Sequence, residues 1–249
     1  MKPYRGRLGR STRAYLLSLW TEAEDAYRKR IVELVASAKP RSLLDLGCHD
    51  GAWTVQLVAA AGGSVERAAG VEVVEEARRE AEQRGIEALI ADLNDKLPFG
   101  DESFDLVHAN QVIEHVLDLD LFVTEIGRVL RPGGRAIVCT ENLASWHNIA
   151  ALVVGFMPFS LTNISSRGAI GNPFNLASTP AAELKTSWFH TRVLTAVGLE
   201  HIFRVHDLDV VARFGAGYHP LPPRLARGAA RRDVRHAAFI GVVAEKPLA

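Results

Sequence analysis

Cysteine is nearly absent from this 249-residue chain, which has only Cys48 and Cys139. That excludes a small secreted scaffold held together by disulfides. An excess of charge of either sign is absent too, because 29 Lys and Arg balance 29 Asp and Glu. A dedicated nucleic-acid binder usually has a strongly basic total, so the balance argues against one. No apolar run approaches the roughly 20 residues that a membrane-spanning helix needs. The longest, 149–159, is too short and contains Gly155 and Pro158. The opening MKPYRGRLGRSTR has five basic side chains but no apolar stretch of the kind found in secretory signals. These absences lead to the expectation of a cytoplasmic protein without a membrane span. What is present is globular material: 48% hydrophobic and 23% charged residues, which excludes global disorder.

The basic stretch 1–13 reads as a solvated tail. A helix is expected over 21–38, where Tyr27, Ile31, Leu34, Val35 and Ala38 fall on one stripe. Thr21 with Glu24 has the form of a capping box, and Pro40 ends the segment. From there strands and helices alternate. Strands are expected at 42–46, 68–73, 88–91, 104–109 and 135–140, with helices at 52–61, 74–84 and 119–131. Such alternation predicts a parallel sheet built from right-handed crossovers, with the ligand at the C-terminal ends of the strands. Past Thr140 the pattern breaks. Residues 143–189 hold only three charged side chains, Arg167, Glu183 and Lys185, among several aromatics. A structureless loop of that length would be unusual, so the segment reads as a lid, a pocket wall or an oligomer contact. A helix near 191–197, a strand near 201–211, a Pro/Arg-rich loop over 220–236 and a strand over 238–244 complete the chain.

The most informative stretch is LLDLGCHDG, residues 43–51. An apolar strand runs through Asp45 into Gly47, and Gly51 opens a helix. Such a turn lets backbone approach a ligand closely, and the helix start offers unpaired N–H groups. It is not a dinucleotide fingerprint, because His49 and Ala52 stand where glycines are needed, and no Gly-Lys-Ser/Thr of a phosphate loop follows. Glu72 ends the second strand, 25 residues after Gly47, where a carboxylate can accept from both ribose hydroxyls. Asp92 ends the third, where it can accept from an exocyclic adenine amine. FDLVHANQVIEHV and then LRPGG follow.

With these four elements in order, residues 40–141 resemble the class I S-adenosylmethionine-dependent methyltransferases, in the small-molecule branch that includes ubiquinone- and menaquinone-type enzymes. The resemblance implies a doubly wound, Rossmann-like α/β fold. Its sheet would be mostly parallel and seven-stranded, with an antiparallel last strand and helices on both faces. It implies a single methyltransferase domain over 1–249: a tail and helix at 1–39, a cofactor-binding core at 40–141, a substrate-facing insertion at 142–189, and a C-terminal helix and strands at 190–249. The cofactor would be S-adenosyl-L-methionine, leaving as S-adenosyl-L-homocysteine. Asp45, Gly47, Cys48 and Gly51 would surround its methionyl part, Glu72 would hold the ribose, and Val73 would lie against the adenine. Asp92 would bind the adenine amine with the Leu93 backbone beside it, and Asn110 and Gln111 would reach the methionyl end. One departure is His49, where the family often has a third glycine. A side chain there is expected to require negative φ and an imidazole turned away from the cofactor.

The reaction implied is an in-line displacement, in which the protein chiefly supplies positioning. A hydroxyl acceptor would gain from a general base. His115, expected in the helix after the fourth strand, is the first candidate, and His147 and His190 are alternatives. No pair of side chains falls at a metal-ligand spacing on one element, so no metal is expected. Cys48 and Cys139 read as packing residues. The insertion suits a pocket for a small acceptor such as a sugar, a glycolipid headgroup or a natural product, or a homodimer contact through 143–189. Three competing readings stand beside this one. A tRNA-modifying methyltransferase is favoured by Arg224, Arg227, Arg231, Arg232 and Arg235, and disfavoured by the neutral total. The others are a catalytically silent cofactor binder and, more distantly, a nicotinamide-dependent oxidoreductase.

Overall fold

The computed structural model describes residues 10–165, 168–175 and 189–248. Arg167, Glu183 and Lys185, which define the low charge of the insertion, lie outside the described residues, as does most of the basic tail. Seven strands form one sheet in the order β3-β2-β1-β4-β5-β7-β6. They are β1 (Ser42–Leu46), β2 (Arg67–Glu72), β3 (Glu87–Ile90), β4 (Phe104–Asn110), β5 (Leu130–Glu141), β6 (Asp209–Ala216) and β7 (Phe239–Glu245). The first five pair in parallel. The last runs antiparallel to β5: Gly133 N–H donates to the Lys246 carbonyl, and Asn142 N–H to that of Ala238. The helices are α1 (Arg10–Ala38), α2 (Ala52–Ala60), α3 (Glu75–Gln83), α4 (Leu119–Val129), α5 (Trp146–Val153), α6 (Ala196–Arg204) and α7 (Pro223–Arg232). This is the doubly wound, Rossmann-like arrangement expected from the alternation.

The chain divides into two compact units. The first comprises Arg28–Cys139, Gly198–Arg213 and Gly241–Ala249. Its centre is β1, in which all five residues are buried, as a strand covered on both faces requires. Leu43, Leu44, Leu46, Leu57, Phe104, Leu106, Phe122 and Ile126 are fully or almost fully buried. Each contributes about 1.5–3 kcal/mol relative to exposure. Arg128 ties α4 down: it pairs with Glu125 at 2.6 Å and Asp101 at 2.7 Å, and donates to the carbonyls of Leu97 and Phe99.

The second unit comprises Thr140–Val197 and Phe214–Ile240 with the described part of Met1–Tyr27. Phe239 packs edge-on against Trp20, centroids 4.8 Å apart, and against Tyr27 at 4.7 Å. Asn142 is a buried clamp whose side-chain amide donates to the Arg235 and Ala237 carbonyls.

Several elements differ from expectation for identifiable reasons. The first helix begins at Arg10 rather than Thr21, and Thr21 Oγ1 donates back to the Leu17 carbonyl instead of capping. Tyr27, Ile31 and Val35 are buried as expected, while Leu34 and Ala38 are half-buried. Residues 201–204 are helical rather than extended, and β6 starts later, at Asp209. The expected Pro/Arg-rich loop contains α7, which uses Pro223 in its first turn, where no amide donor is needed, and buries only the small Ala226 and Ala230. The insertion contains α5 and a short 3-10 turn at Phe159–Leu161.

Candidate functional site

At the C-terminal ends of β1 and β4, within the first unit, lies a cavity of about 360 Å³. Small-molecule sites span roughly 300–1,000 Å³. The turn after β1 forms one wall. Gly47 has φ +72° and Gly51 φ +77°, the left-handed region that glycine occupies without cost. Space is closed at both as well. An added Cβ would stand 2.7 Å from Val112 Cγ2 at Gly47, and 2.9 Å from the Ala81 backbone at Gly51. His49 also has positive φ, +50°, contrary to the negative φ expected there. Its side chain is 68% exposed with Nδ1 3.6 Å from Asp50 Oδ1, so the ring lies at the rim.

The floor is a buried acid–base pair. The parallel pairing of β1 with β4 sets Asp45 beside His108. Asp45 Oδ1 lies 2.7 Å from His108 Nδ1, and Thr54 Oγ1 donates to Oδ2 at 2.5 Å. A carboxylate only accepts, so the imidazole proton sits on Nδ1. His108 Nε2 then faces Trp53 Nε1 at 3.5 Å. Asn110, which ends β4, lines the cavity, and its side-chain oxygen is buried with no hydrogen-bond partner among the described residues. Gln111 follows at φ +55°, its side-chain nitrogen likewise buried and unpartnered. The Asn110 oxygen, an orphaned acceptor at a strand end lining the cavity, suits a ligand with a donor of its own.

The structure thus brings Asp45, Gly47, Cys48 and Asn110 together around one cavity, with Gly51 setting its turn. Glu72, Val73, Asp92, Leu93 and Gln111 do not line it. Glu72 is 8% exposed and accepts the N–H groups of His49, Val73 and Val74 at 3.0, 2.9 and 2.9 Å. It therefore fastens the glycine turn to the end of β2. A carboxylate has about four lone-pair sites, so capacity remains for a further donor. Val73 is 52% exposed. Asp92 is exposed and accepts from Asn94 N–H and Nδ2. Burial pushes the Cys48 thiol up to about 12, with the nearby Asp45 and Glu72 carboxylates adding to the effect.

His115 lies in a turn ahead of α4 rather than inside a helix, half-buried. His147 belongs to the second unit, in α5, where burial and then His219 lower it to about 3. His190, also in that unit, has Nδ1 2.5 Å from the Ser160 carbonyl oxygen. Sequence reasoning missed Arg28, Trp53, Gln56 and His108, all of which line the cavity. His108 had a signal: it precedes the end of β4 by two residues, as Asp45 precedes Gly47, so parallel pairing sets the two side by side. Trp53 and Arg28 carried none.

Residues 44–138 match the family described as "Methyltransferase domain". The chain is 33% identical over 149 residues to the methyltransferase GfsG of Streptomyces halstedii, covering 56% of this chain and 52% of that one. It is 34% identical over 126 residues to a demethylmenaquinone methyltransferase of Thermus thermophilus, covering 47% and 54% respectively. The chain thus spans about half the length of these curated relatives. A solved S-adenosylmethionine-dependent methyltransferase from Methanosarcina mazei aligns with a TM-score of 0.57 over 84% of this chain and 93% of that one, at 18% identity. That likeness is one of fold.

Proposed function

We propose that this chain, whose residues 44–138 match a methyltransferase domain, is a class I S-adenosylmethionine-dependent methyltransferase that binds S-adenosylmethionine in the cavity beside Gly47 and transfers its methyl group to a small-molecule acceptor. The observation that carries the reading is the close-packed, left-handed glycine turn opening onto a cavity beside the unpartnered Asn110 oxygen. When bound, the sulfonium supplies an already activated methyl group. The chain's own residues bind and orient. Gly47 and Gly51 keep side chains out of the turn, Glu72 holds that turn in shape, and Asp45 sets a negative floor suited to a cationic ligand. Asn110 and Gln111 offer their free side-chain atoms. Glu72 would retain the ribose, with Asp92, Val73 and Leu93 toward the adenine.

The acceptor we favour carries a hydroxyl, as in a sugar, glycolipid or natural product. His115 is the base we favour for it, because His147, held neutral by burial, is too weak a base near pH 7. A thermal-shift comparison tests the donor: S-adenosylmethionine and S-adenosylhomocysteine should raise the melting temperature, and NAD and NADP should not. Stabilisation by the dinucleotides alone would refute the reading. His115→Ala should lower turnover while leaving donor affinity nearly unchanged.

A tRNA acceptor has one observation in its favour. The arginines of α7, Arg224, Arg227, Arg231 and Arg232, are all exposed, opposite Ala226 and Ala230. Salt-sensitive retention of tRNA, lost on replacing these arginines, would support it.

A further inference from the structure

A concentration of one charge lies in the second unit. Between Gly217 and Ala238 the chain has five arginines, Arg224, Arg227, Arg231, Arg232 and Arg235, and one acid, Asp233. All five arginines are exposed. Among the described residues none of them forms an ion pair. Asp233 is committed elsewhere, because its Oδ2 accepts from the Tyr218 hydroxyl at 2.7 Å and from His236 Nδ1 at 2.8 Å. The chain as a whole is neutral, so positive charge left unpaired in one short segment marks a surface with an anionic partner.

The residues that α7 buries are Ala226 and Ala230. At 3.6 residues per turn, Arg224, Arg227, Arg231 and Arg232 fall on the opposite side, around Gly228. An added Cβ at Gly228 would meet only Arg232 Nη1, at 4.0 Å, so packing does not demand a glycine there. Glycine weakens a helix interior, and here it leaves bare backbone between guanidinium groups. Leu225, 61% exposed, adds an apolar side chain to the same surface.

Arginine forks bind phosphate oxygens bidentately, so the partner that fits is rich in phosphate. Two features select its source. The arginines radiate from the outward side of a helix, whereas a nucleic-acid strand is held in a groove, and residues 221–235 offer no aromatic side chain for bases to stack on. An exposed leucine among arginines instead suits a plane of headgroups over acyl chains, and clusters of about four to eight basic side chains are the usual number for anionic lipid. We propose that α7 and Arg235 dock the chain on an anionic lipid surface. No helix among the described residues is long and apolar enough to cross a membrane, so the contact is superficial, with arginines at the headgroup phosphates and Leu225 between them. The assignment stands apart from the adenosyl reading.

Co-sedimentation of the full chain with lipid vesicles tests it. The chain should pellet with phosphatidylcholine vesicles containing about one-third phosphatidylglycerol, and not with phosphatidylcholine alone. Inorganic phosphate at matched ionic strength should not release it, which separates a lipid surface from a site for free phosphate. Arg227→Gln combined with Arg231→Gln should weaken vesicle binding about 25-fold, from about fivefold for each charge near the surface. Arg30→Gln combined with Arg79→Gln removes the same charge from exposed ion pairs with Glu33 and Glu75 in the other unit. That control should bind within about twofold of wild type. Leu225→Ser should weaken the binding that survives at high salt. All these positions are exposed, so melting temperatures should match wild type. Failure to pellet with anionic vesicles, an equal loss in the two double variants, or release by phosphate overturns the assignment. Retention of tRNA at a salt concentration that strips the chain from vesicles overturns it in favour of RNA.

Discussion

Replacing Gly51 by alanine is expected to destabilise the protein more than the same change at Gly85. Both glycines have positive φ, +77° and +84°. Each substitution therefore incurs the left-handed cost of an L-residue, about 1–2 kcal/mol. The surroundings differ. At Gly85 an added Cβ meets nothing within 4 Å, whereas at Gly51 it stands 2.9 Å from both the Cα and the Cβ of Ala81. Ala81 is fully buried in α3, packed with Cys48, Ile86 and Ala88, so the helix must shift as a body. Overpacking of that kind adds about 1–3 kcal/mol. Gly51→Ala should thus lose about 2–5 kcal/mol and Gly85→Ala about 1–2 kcal/mol. Urea unfolding of the two variants, compared at equal m-values, measures the difference. Equal losses, or a larger loss at Gly85, would refute the claim that close packing fixes the glycine turn.

Three further outcomes follow from the same geometry. Arg128→Ala leaves the 5%-exposed Glu125 without its partner, and should lower stability by about 3 kcal/mol in chemical denaturation; a neutral effect would contradict the network. The Cys48 thiol, 2% exposed and pushed up to about 12, should react with a disulfide reagent at pH 8 only as the protein unfolds, so fast labelling of the native state at this residue would be contrary evidence. For His147, burial lowers the folded value to about 3 from an ordinary value near 6.5. Below 6.5 the unfolded chain therefore binds more protons, and stability present above that pH falls as the pH drops toward about 3. His147→Phe should flatten this acid slope, and an unchanged slope would show that the buried imidazole is not its source.

The sheet was legible because its physics is local. SLLDL reads as a doubly covered strand and is one, and the amphipathic helix opening at Leu119 begins where its apolar spacing starts. The two glycines of the turn were legible through the conformations they permit. What escaped detection depended on distant partners. The start of α1 is hard to read because Tyr15 and Leu17 remain exposed, and full burial along the helix sets in only at Leu19. In α7 only alanines are buried, so arginine and proline masked the helix. The floor of the cavity arises from a pairing across strands 63 residues apart. Glu72 was readable as an acid at a strand end. Its hold on the His49, Val73 and Val74 amides was not, because that depends on how the turn folds back.

A crystal structure with S-adenosylhomocysteine tests the central claim most directly. Density for the ligand is expected in the cavity bounded by Gly47, Trp53 and Asn110. Density elsewhere, or a His49 ring turned in to close the cavity at saturating ligand, would contradict it.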